Sequence, residues 1–100
     1  MKTVEIHPAQ EKKDLLSTIG ETLRAERNER NLTLREVAEG AHVSVSYLAE
    51  IERGEKDPSS RVLESIARGL DTEVSGILIR IATALEPDSH VVPVAGSIAA

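Results

Sequence analysis

The sequence has no cysteine, a single aromatic residue and no long apolar segment. Without cysteine, a disulfide framework and a thiolate metal site are excluded, and His7, His42 and His90 lack the spacing of metal ligands. The apolar runs fall short of the ~18 residues that a membrane-spanning helix needs. Residues 1–14 mix both signs of charge and lack the apolar region of a signal peptide. We therefore expect a cytoplasmic protein with no metal, cofactor or membrane contact.

The net charge of −5 at pH 7 argues at first sight against a nucleic-acid partner, since attraction to phosphate drives most of such binding. A protein that reads nucleic acid needs only one basic face, however. Arg35, Arg53, Lys56 and Arg61 lie close to the segment identified below as the reader. The charge therefore leaves a nucleic-acid partner open, and the length of 100 residues indicates one domain with a modest core.

Apolar residues recur at helical spacing through most of the chain and predict an all-α fold with five helices. Thr33 and Glu36 have the pattern of a capping box, and Ser44 and Gly54 are typical start and stop residues of a short helix. The expected helices are Leu15–Arg30, Leu34–Ala41, Val45–Arg53, a fourth that Ser59 or Ser60 caps and that reaches Gly69, and a fifth from about Glu73 to Glu86, before Pro87. We expect one compact domain at residues 15–86, with flexible extensions at 1–14 and 87–100.

The second and third predicted helices are short, are joined by a tight turn, and are too short to be stable alone. Two such helices at a steep angle form a helix-turn-helix, whose second helix lies in the major groove of DNA. We expect this motif at residues 34–53. The base-reading candidates are Ser44, Val45, Ser46 and Glu50, because hydroxyls, a methyl-contacting valine and a carboxylate can each recognise base edges.

A second group of residues is suited to contact DNA phosphates, which position a reading helix without specifying sequence. Its members are Arg35, Tyr47, Arg53, Lys56 and Arg61. The alternative for the charged members is an ordinary solvated surface, and for Tyr47 it is packing of the ring against the second helix.

The last predicted helix carries more apolar residues than one buried face requires. The excess favours burial against a second copy of the chain, and the alternative is an extended core within one chain. The candidate dimerisation residues are Ile77, Leu78, Ile79, Ile81, Ala82 and Leu85. A dimer would present two short readers to two inverted half-sites about one helical turn (~34 Å) apart.

Residues 19–78 resemble the phage-repressor-like (XRE) helix-turn-helix family over its whole five-helix unit. The matching positions are Ile19, Leu23, Arg27, Leu32, Thr33, Glu36, Val37, Ala38, Val43, Ser44, Tyr47, Leu48, Ile51, Glu52, Arg53, Gly54, Pro58, Ser59, Leu63, Ile66, Ala67 and Leu70. Two departures stand out: His42 occupies a turn position that is usually glycine, and Leu34 replaces a glutamine that commonly contacts phosphate. We expect Arg35 to take over that contact, and His42 to be strained by ~1 kcal/mol or more if its φ is positive.

Part of the chain is similar, more narrowly, to the actinobacterial regulators of Clp protease genes, the ClgR group. The similar stretches are Thr33 to Ala38, Val43-Ser44, Tyr47 to Gly54 and Ser59-Ser60. Glu55 departs from the arginine, and Ser46 from the glycine, expected in that group. The resemblance to the XRE family implies a partly buried Arg27–Glu52 salt bridge that orients the reading helix. The resemblance to the ClgR group implies an activator of proteolysis genes, with RNA polymerase and Clp protease as partners.

The sequence thus predicts a dimeric regulator that binds double-stranded DNA, associated with the nucleoid. The alternative is an antitoxin or adaptor that uses the same fold to bind a protein partner. No nucleophile–base pair, glycine-rich phosphate loop or carboxylate dyad indicates an enzyme. The chain offers no room for a ligand-sensing domain, so we expect no small-molecule ligand.

Residues 86–100 are weakly apolar, aperiodic and expected to be mobile beyond about His90. Their end, Ile98, Ala99 and Ala100, resembles recognition tags that bacterial Clp proteases read. The candidate degron would give the cell control over the protein by turnover. The alternative is an inert terminus.

Overall fold

Five helices follow one another in the computed structural model, which describes residues 14–86, and this range contains no strand. They are α1 (Leu15–Glu29), α2 (Leu34–Ala41), α3 (Val45–Glu52), α4 (Ser60–Gly69) and α5 (Val74–Leu85). The all-α, five-helix prediction is confirmed. Three helices end one residue earlier than predicted, because Arg30, Arg53 and Glu86 are their C-caps.

Side-chain caps fix where four of the helices begin. Asp14, Thr33, Ser44 and Ser59 each accept a hydrogen bond from the backbone N–H three residues on, at 2.8 to 3.1 Å. At α2 the cap is reciprocal, since Glu36 also accepts from the N–H of Thr33 at 2.8 Å. Such caps satisfy amides that have no partner within the helix. α5 lacks one, because Glu73 makes no side-chain cap hydrogen bond.

One apolar core joins all five helices, with α1 packed on α3 and α5, α2 on α3 and α4, and α4 on α5. Leu48 and Ile51 of α3 have no exposed surface. The buried apolar residues are Ile19, Leu23, Val37, Ala38, Ala41, Leu48, Ile51, Leu63, Ile66, Ala67, Leu70, Ile77 and Ile81. The helix that the sequence predicts as the reader is therefore anchored on two sides, by α1 and by α2.

The same core corrects part of the predicted dimerisation surface. Ile77 and Ile81 are only 1% and 5% exposed, because they pack into the core of their own chain. They have almost no surface left for a second chain. Leu78, Ile79 and Leu85 are 49%, 67% and 37% exposed, and Ala82 is exposed as well. The excess apolar surface of α5 is therefore carried by these four residues, which we call the α5 apolar face.

An ion-pair network, not foreseen from the sequence, ties α5 to α1. Arg80 donates to Glu26 at 2.9 Å and to both carboxylate oxygens of Glu29 at 3.0 and 2.7 Å. Arg30 pairs with the other oxygen of Glu26 at 2.6 Å. Glu26 is largely buried, and its two arginine partners compensate for its desolvation. The network fixes the angle of α5 against α1.

Candidate nucleic-acid interface

The turn between α2 and α3 sets the angle between the two helices. His42 takes a left-handed conformation, with φ 59° and ψ 42°. The next residue, Val43, donates its N–H to the carbonyl of Ala38 at 3.0 Å and closes the end of α2. Ala38 is buried where the helices meet. His42 occupies a turn position that is usually glycine, and it does have the positive φ that such a position favours, although it carries a Cβ.

α3 presents its first turn to solvent. Ser44, Val45 and Ser46 are exposed, whereas Tyr47 and Glu50 are half-buried. The Ser44 hydroxyl accepts the capping bond from the N–H of Tyr47 and lies 3.5 Å from the Ser46 hydroxyl. The cap uses only the acceptor side of Ser44, so its O–H remains able to donate. The predicted base-reading residues thus lie on one short helix, with small side chains at its leading end.

Arg27 and Glu52 hold α3 against α1. Arg27 donates Nε to Glu52 Oε2 at 2.8 Å and Nη2 to Oε1 at 2.9 Å, while its Nη1 donates to the Leu32 carbonyl at 3.0 Å. The hydrogen bonds that Arg27 donates to Glu52 raise the pKa of Arg27. The two side chains are 13% and 7% exposed. A bidentate pair of this kind restricts direction as well as distance, and its role in orienting α3 remains a prediction.

At the C-terminal end of α3, Arg53 is already paired. Its Nε and Nη2 donate to the two oxygens of Glu55 at 3.0 and 3.1 Å. The hydrogen bond to Glu55 and the opposite charge of Glu55 raise the pKa of Arg53. Arg53 in turn lowers the pKa of Glu55, and the charge of Lys56 lowers it further by a smaller amount. Both side chains are more than half exposed. A predicted phosphate contact is therefore occupied by a carboxylate in the protein alone.

Three further predicted phosphate contacts, Arg35, Lys56 and Arg61, are exposed. Arg35 and Arg61 lie near the starts of α2 and α4, two helices that pack together, and Lys56 lies in the segment between α3 and α4. Tyr47 is half-buried and packs against the core, as the packing alternative expects. Arg35, Tyr47 and Arg61 thus lie on α2, α3 and α4. Their contacts with DNA remain predictions.

A pocket of about 190 Å³ flanks the second half of α3. Its walls are Arg24, Arg27, Leu34, Ala49, Glu52 and Arg53. Arg24, an exposed residue of α1, was missed from the sequence, where it is one of several charges on a helix surface. The spacing of Arg24 and Arg27, three residues apart on one helix, is the only sequence feature that could have indicated it.

Several expectations concern residues outside the described range. Ile98, Ala99, Ala100, His7 and His90 lie there, as do both predicted extensions apart from Asp14. Among residues 14–86, no group of acidic or histidine side chains is arranged to hold a metal ion. No helix in that stretch is long and apolar enough to cross a membrane.

Comparison with known proteins places this geometry among transcription regulators. Residues 23–77 match the helix-turn-helix family. The chain is 48% identical over 61 residues to the transcriptional regulator ClgR of Mycobacterium tuberculosis. The matched residues cover 61% of this chain and 54% of that protein. It is 46% identical over 61 residues to the immunity repressor of Bacillus phage phi105, covering 61% of this chain and 42% of the repressor. The chain thus spans about half the length of these relatives.

The fold agrees with a solved structure as well. The crystal structure of the clp gene regulator ClgR from Corynebacterium glutamicum superposes with a TM-score of 0.70 at 39% identity. The superposition covers 75% of this chain and 97% of that one. The resemblance to the ClgR group inferred from the sequence is confirmed.

Proposed function

This chain belongs to the helix-turn-helix family, and from that premise we propose that it is a sequence-specific DNA-binding transcription regulator. The observation that carries the proposal is the exposed first turn of α3, whose small and hydrogen-bonding side chains stand on a helix anchored by two neighbours. In this mode Ser44, Val45, Ser46 and Glu50 read base edges in the major groove. Arg35, Tyr47, Lys56 and Arg61 contact phosphates, and Arg53 joins them once it leaves Glu55.

The protein acts as a homodimer on an inverted repeat. A single eight-residue helix covers too few base pairs to be specific alone. The α5 apolar face supplies the surface for a second copy, since Leu78 and Ile79 are about half and two thirds exposed. Exposed apolar residues grouped on one helix commonly mark an interface. Two chains joined through α5 would present two copies of α3 to the same side of the duplex.

The identity with two regulators named ClgR supports a narrower role in the control of clp genes. Under this proposal the operator lies upstream of protease genes, and RNA polymerase is a partner at the promoter. A Clp protease, acting on the protein itself, is the other proposed partner.

Selection from a random-sequence DNA pool, at two salt concentrations, tests the proposal. A regulator should enrich a two-fold symmetric site at both salt concentrations, because base contacts persist when the phosphate contribution weakens. Sedimentation at the same protein concentration should give a dimer. Absence of any enriched site at low salt would contradict the proposal and favour a protein-binding module. Enrichment of a lone half-site by a monomer would contradict the dimer alone.

A further inference from the structure

We propose that the pocket beside α3 binds a phosphodiester group of the DNA backbone, and that Arg24 is the residue that binds it. This inference rests on the proposed function and adds a contact that the sequence does not indicate. We call the pocket the Arg24 pocket; its walls come from α1, the start of α2 and the second half of α3.

The charge of the pocket indicates its ligand. Three arginines face one glutamate across its walls, so the pocket has an excess of positive charge. Leu34 and Ala49 contribute only apolar side chains. At about 190 Å³ the pocket is smaller than the roughly 300–1,000 Å³ of sites for drug-sized ligands. A single anionic group suits it better than an organic effector does.

Among the three arginines, Arg24 is the one without a partner in the part of the chain that the structure describes. Arg27 directs three donor groups at Glu52 and the Leu32 carbonyl. Arg53 has two donors on Glu55. Within residues 14–86, Arg24 makes no hydrogen bond or ion pair, and the carboxylate of Glu52 already accepts from Arg27 with both oxygens. An incoming anion would be the first acceptor that the guanidinium of Arg24 meets there.

The position of the pocket matches the path of a DNA strand. When a helix lies in the major groove, the sugar–phosphate strands run past its flanks, and phosphate contacts there fix its register. Ala49 of α3 and the C-cap Arg53 lie one turn apart, so the pocket lies along the flank of the helix and away from its leading end. Leu34 offers no donor at this point, and Arg24 supplies one from the opposite wall.

Arg24→Gln tests the inference, because it removes the charge from an exposed side chain and leaves a shorter, uncharged polar side chain in its place. The matched control is Arg68→Gln, an exposed arginine of α4 that lines a different pocket with Asp71 and Glu73. The slope of log affinity against log salt should become shallower by about 0.9 for each half-site in Arg24→Gln. Between 50 and 200 mM salt, the wild type should therefore lose about three-fold more affinity per half-site than the variant. Arg68→Gln should keep the wild-type slope.

A second measurement locates the phosphate. Operators carrying one uncharged methylphosphonate at a time should show a position in each half-site at which the wild type binds more weakly and Arg24→Gln does not. The selected consensus should be the same for both proteins. A wild-type slope in Arg24→Gln, with operator selection intact, would overturn this inference and leave the proposed function standing. Failure of the wild type to select any DNA site would overturn both.

Discussion

Gly20 of α1 lies against the backbone of Glu52 at the end of α3. A Cβ placed on Gly20 would come within 2.5 Å of the Glu52 carbonyl oxygen and within 2.5 Å of that of Ile51. Real side chains do not approach so closely, and both obstacles are backbone atoms that cannot rotate away. The absence of a side chain at Gly20 therefore sets how closely α1 and α3 pack, and Arg27 closes the same contact with its ion pair to Glu52.

Gly20→Ala should destabilise the protein by about 1–3 kcal/mol, because overpacking at this contact forces α3 away from α1. The displaced α3 should bind the operator less well in conditions where the variant is still folded. Urea unfolding, followed by circular dichroism, gives the first quantity, and a binding titration gives the second.

Gly76→Ala is the matched control, since a Cβ there meets nothing within 4 Å among residues 14–86. It should raise the free energy of unfolding by about 0.5–1 kcal/mol, because alanine is the better helix former. Equal stability changes in the two variants would show that the close contact at Gly20 is absent.

The helices were predictable because their signals are local. The capping box of Thr33 and Glu36 and the cap of Ser44 each depend on residues three apart, which the sequence displays directly. Whether Ile77 or Ile79 faces the core depends on where α5 docks on α1. No local sequence pattern encodes that docking angle, so the sequence does not distinguish the buried apolar residues of α5 from the exposed ones.

The missed site residues have the same cause. Arg80 and Glu29 are 51 positions apart, and their contact exists only because α1 and α5 pack side by side. Arg24 resembles any solvated arginine until the start of α2 and the end of α3 are placed beside it. By contrast, the Arg27–Glu52 pair could be anticipated because the family resemblance supplied the long-range information.

Arg80→Met should lower the free energy of unfolding relative to wild type. This loss should be larger at neutral pH than in acid. The hydrogen bond from Arg80 lowers the pKa of Glu29 below its ordinary value of 4.5. A lowered carboxylate pKa adds stability above the unfolded-state value, and this stability is lost as pH falls through the folded-state value. The stability difference between wild type and variant should therefore be largest near pH 7 and shrink below about pH 4.5. Urea unfolding at pH 7 and pH 3 measures it.

Arg68→Met serves as the control for Arg80→Met, because Arg68 donates to the hydroxyl of Ser65 and has no carboxylate partner among the described residues. Its stability difference from wild type should not change over the same pH range. A difference for Arg80→Met that stays constant down to pH 3 would contradict the contribution of its ion pairs.

His42→Gly should be more stable than His42→Ala by about 1 kcal/mol. Both changes remove the imidazole, but only glycine accepts φ 59° without steric cost from a Cβ. Comparing the two variants with each other separates backbone strain from any contact of the ring. Thermal unfolding at one protein concentration is sufficient, and equal melting temperatures would show that the turn is not strained.

Arg35→Ala and Glu50→Ala should affect DNA binding in different ways. Loss of the Arg35 charge should weaken binding to all sequences alike and reduce the salt slope by about one phosphate per half-site. Glu50→Ala, and likewise Ser46→Ala, should change the preferred base at one position by about 1–3 kcal/mol. Selection from a randomised operator distinguishes the two. A shifted consensus in Arg35→Ala with none in Glu50→Ala would reverse the assigned roles.

Glu55→Gln should strengthen binding to DNA of any sequence. In the protein alone, the Glu55 carboxylate holds the Nε and Nη2 donors of Arg53, the same donors that a phosphate would use. Removing the carboxylate charge frees Arg53 and also releases Lys56, whose charge contributes to the lowered pKa of Glu55. The salt slope should become steeper by up to about 0.9 per half-site, because the Glu55 charge no longer offsets the contact of Arg53 with phosphate. The ratio of operator affinity to random-DNA affinity should fall, since the strengthened contact carries no sequence information.

The matched control is Glu64→Gln, which removes the same charge from an exposed position in α4, where the side chain lines a pocket with Arg68 and Glu73. A general effect of net charge would raise the affinity for random DNA equally in both variants. A local effect would appear in Glu55→Gln alone, and it should vanish when Arg53 is replaced by glutamine in the same chain. An unchanged salt slope in Glu55→Gln would mean that separating Arg53 from Glu55 does not weaken DNA binding. In that case carboxylates elsewhere on the surface must be the ones that weaken the binding of this acidic protein to DNA.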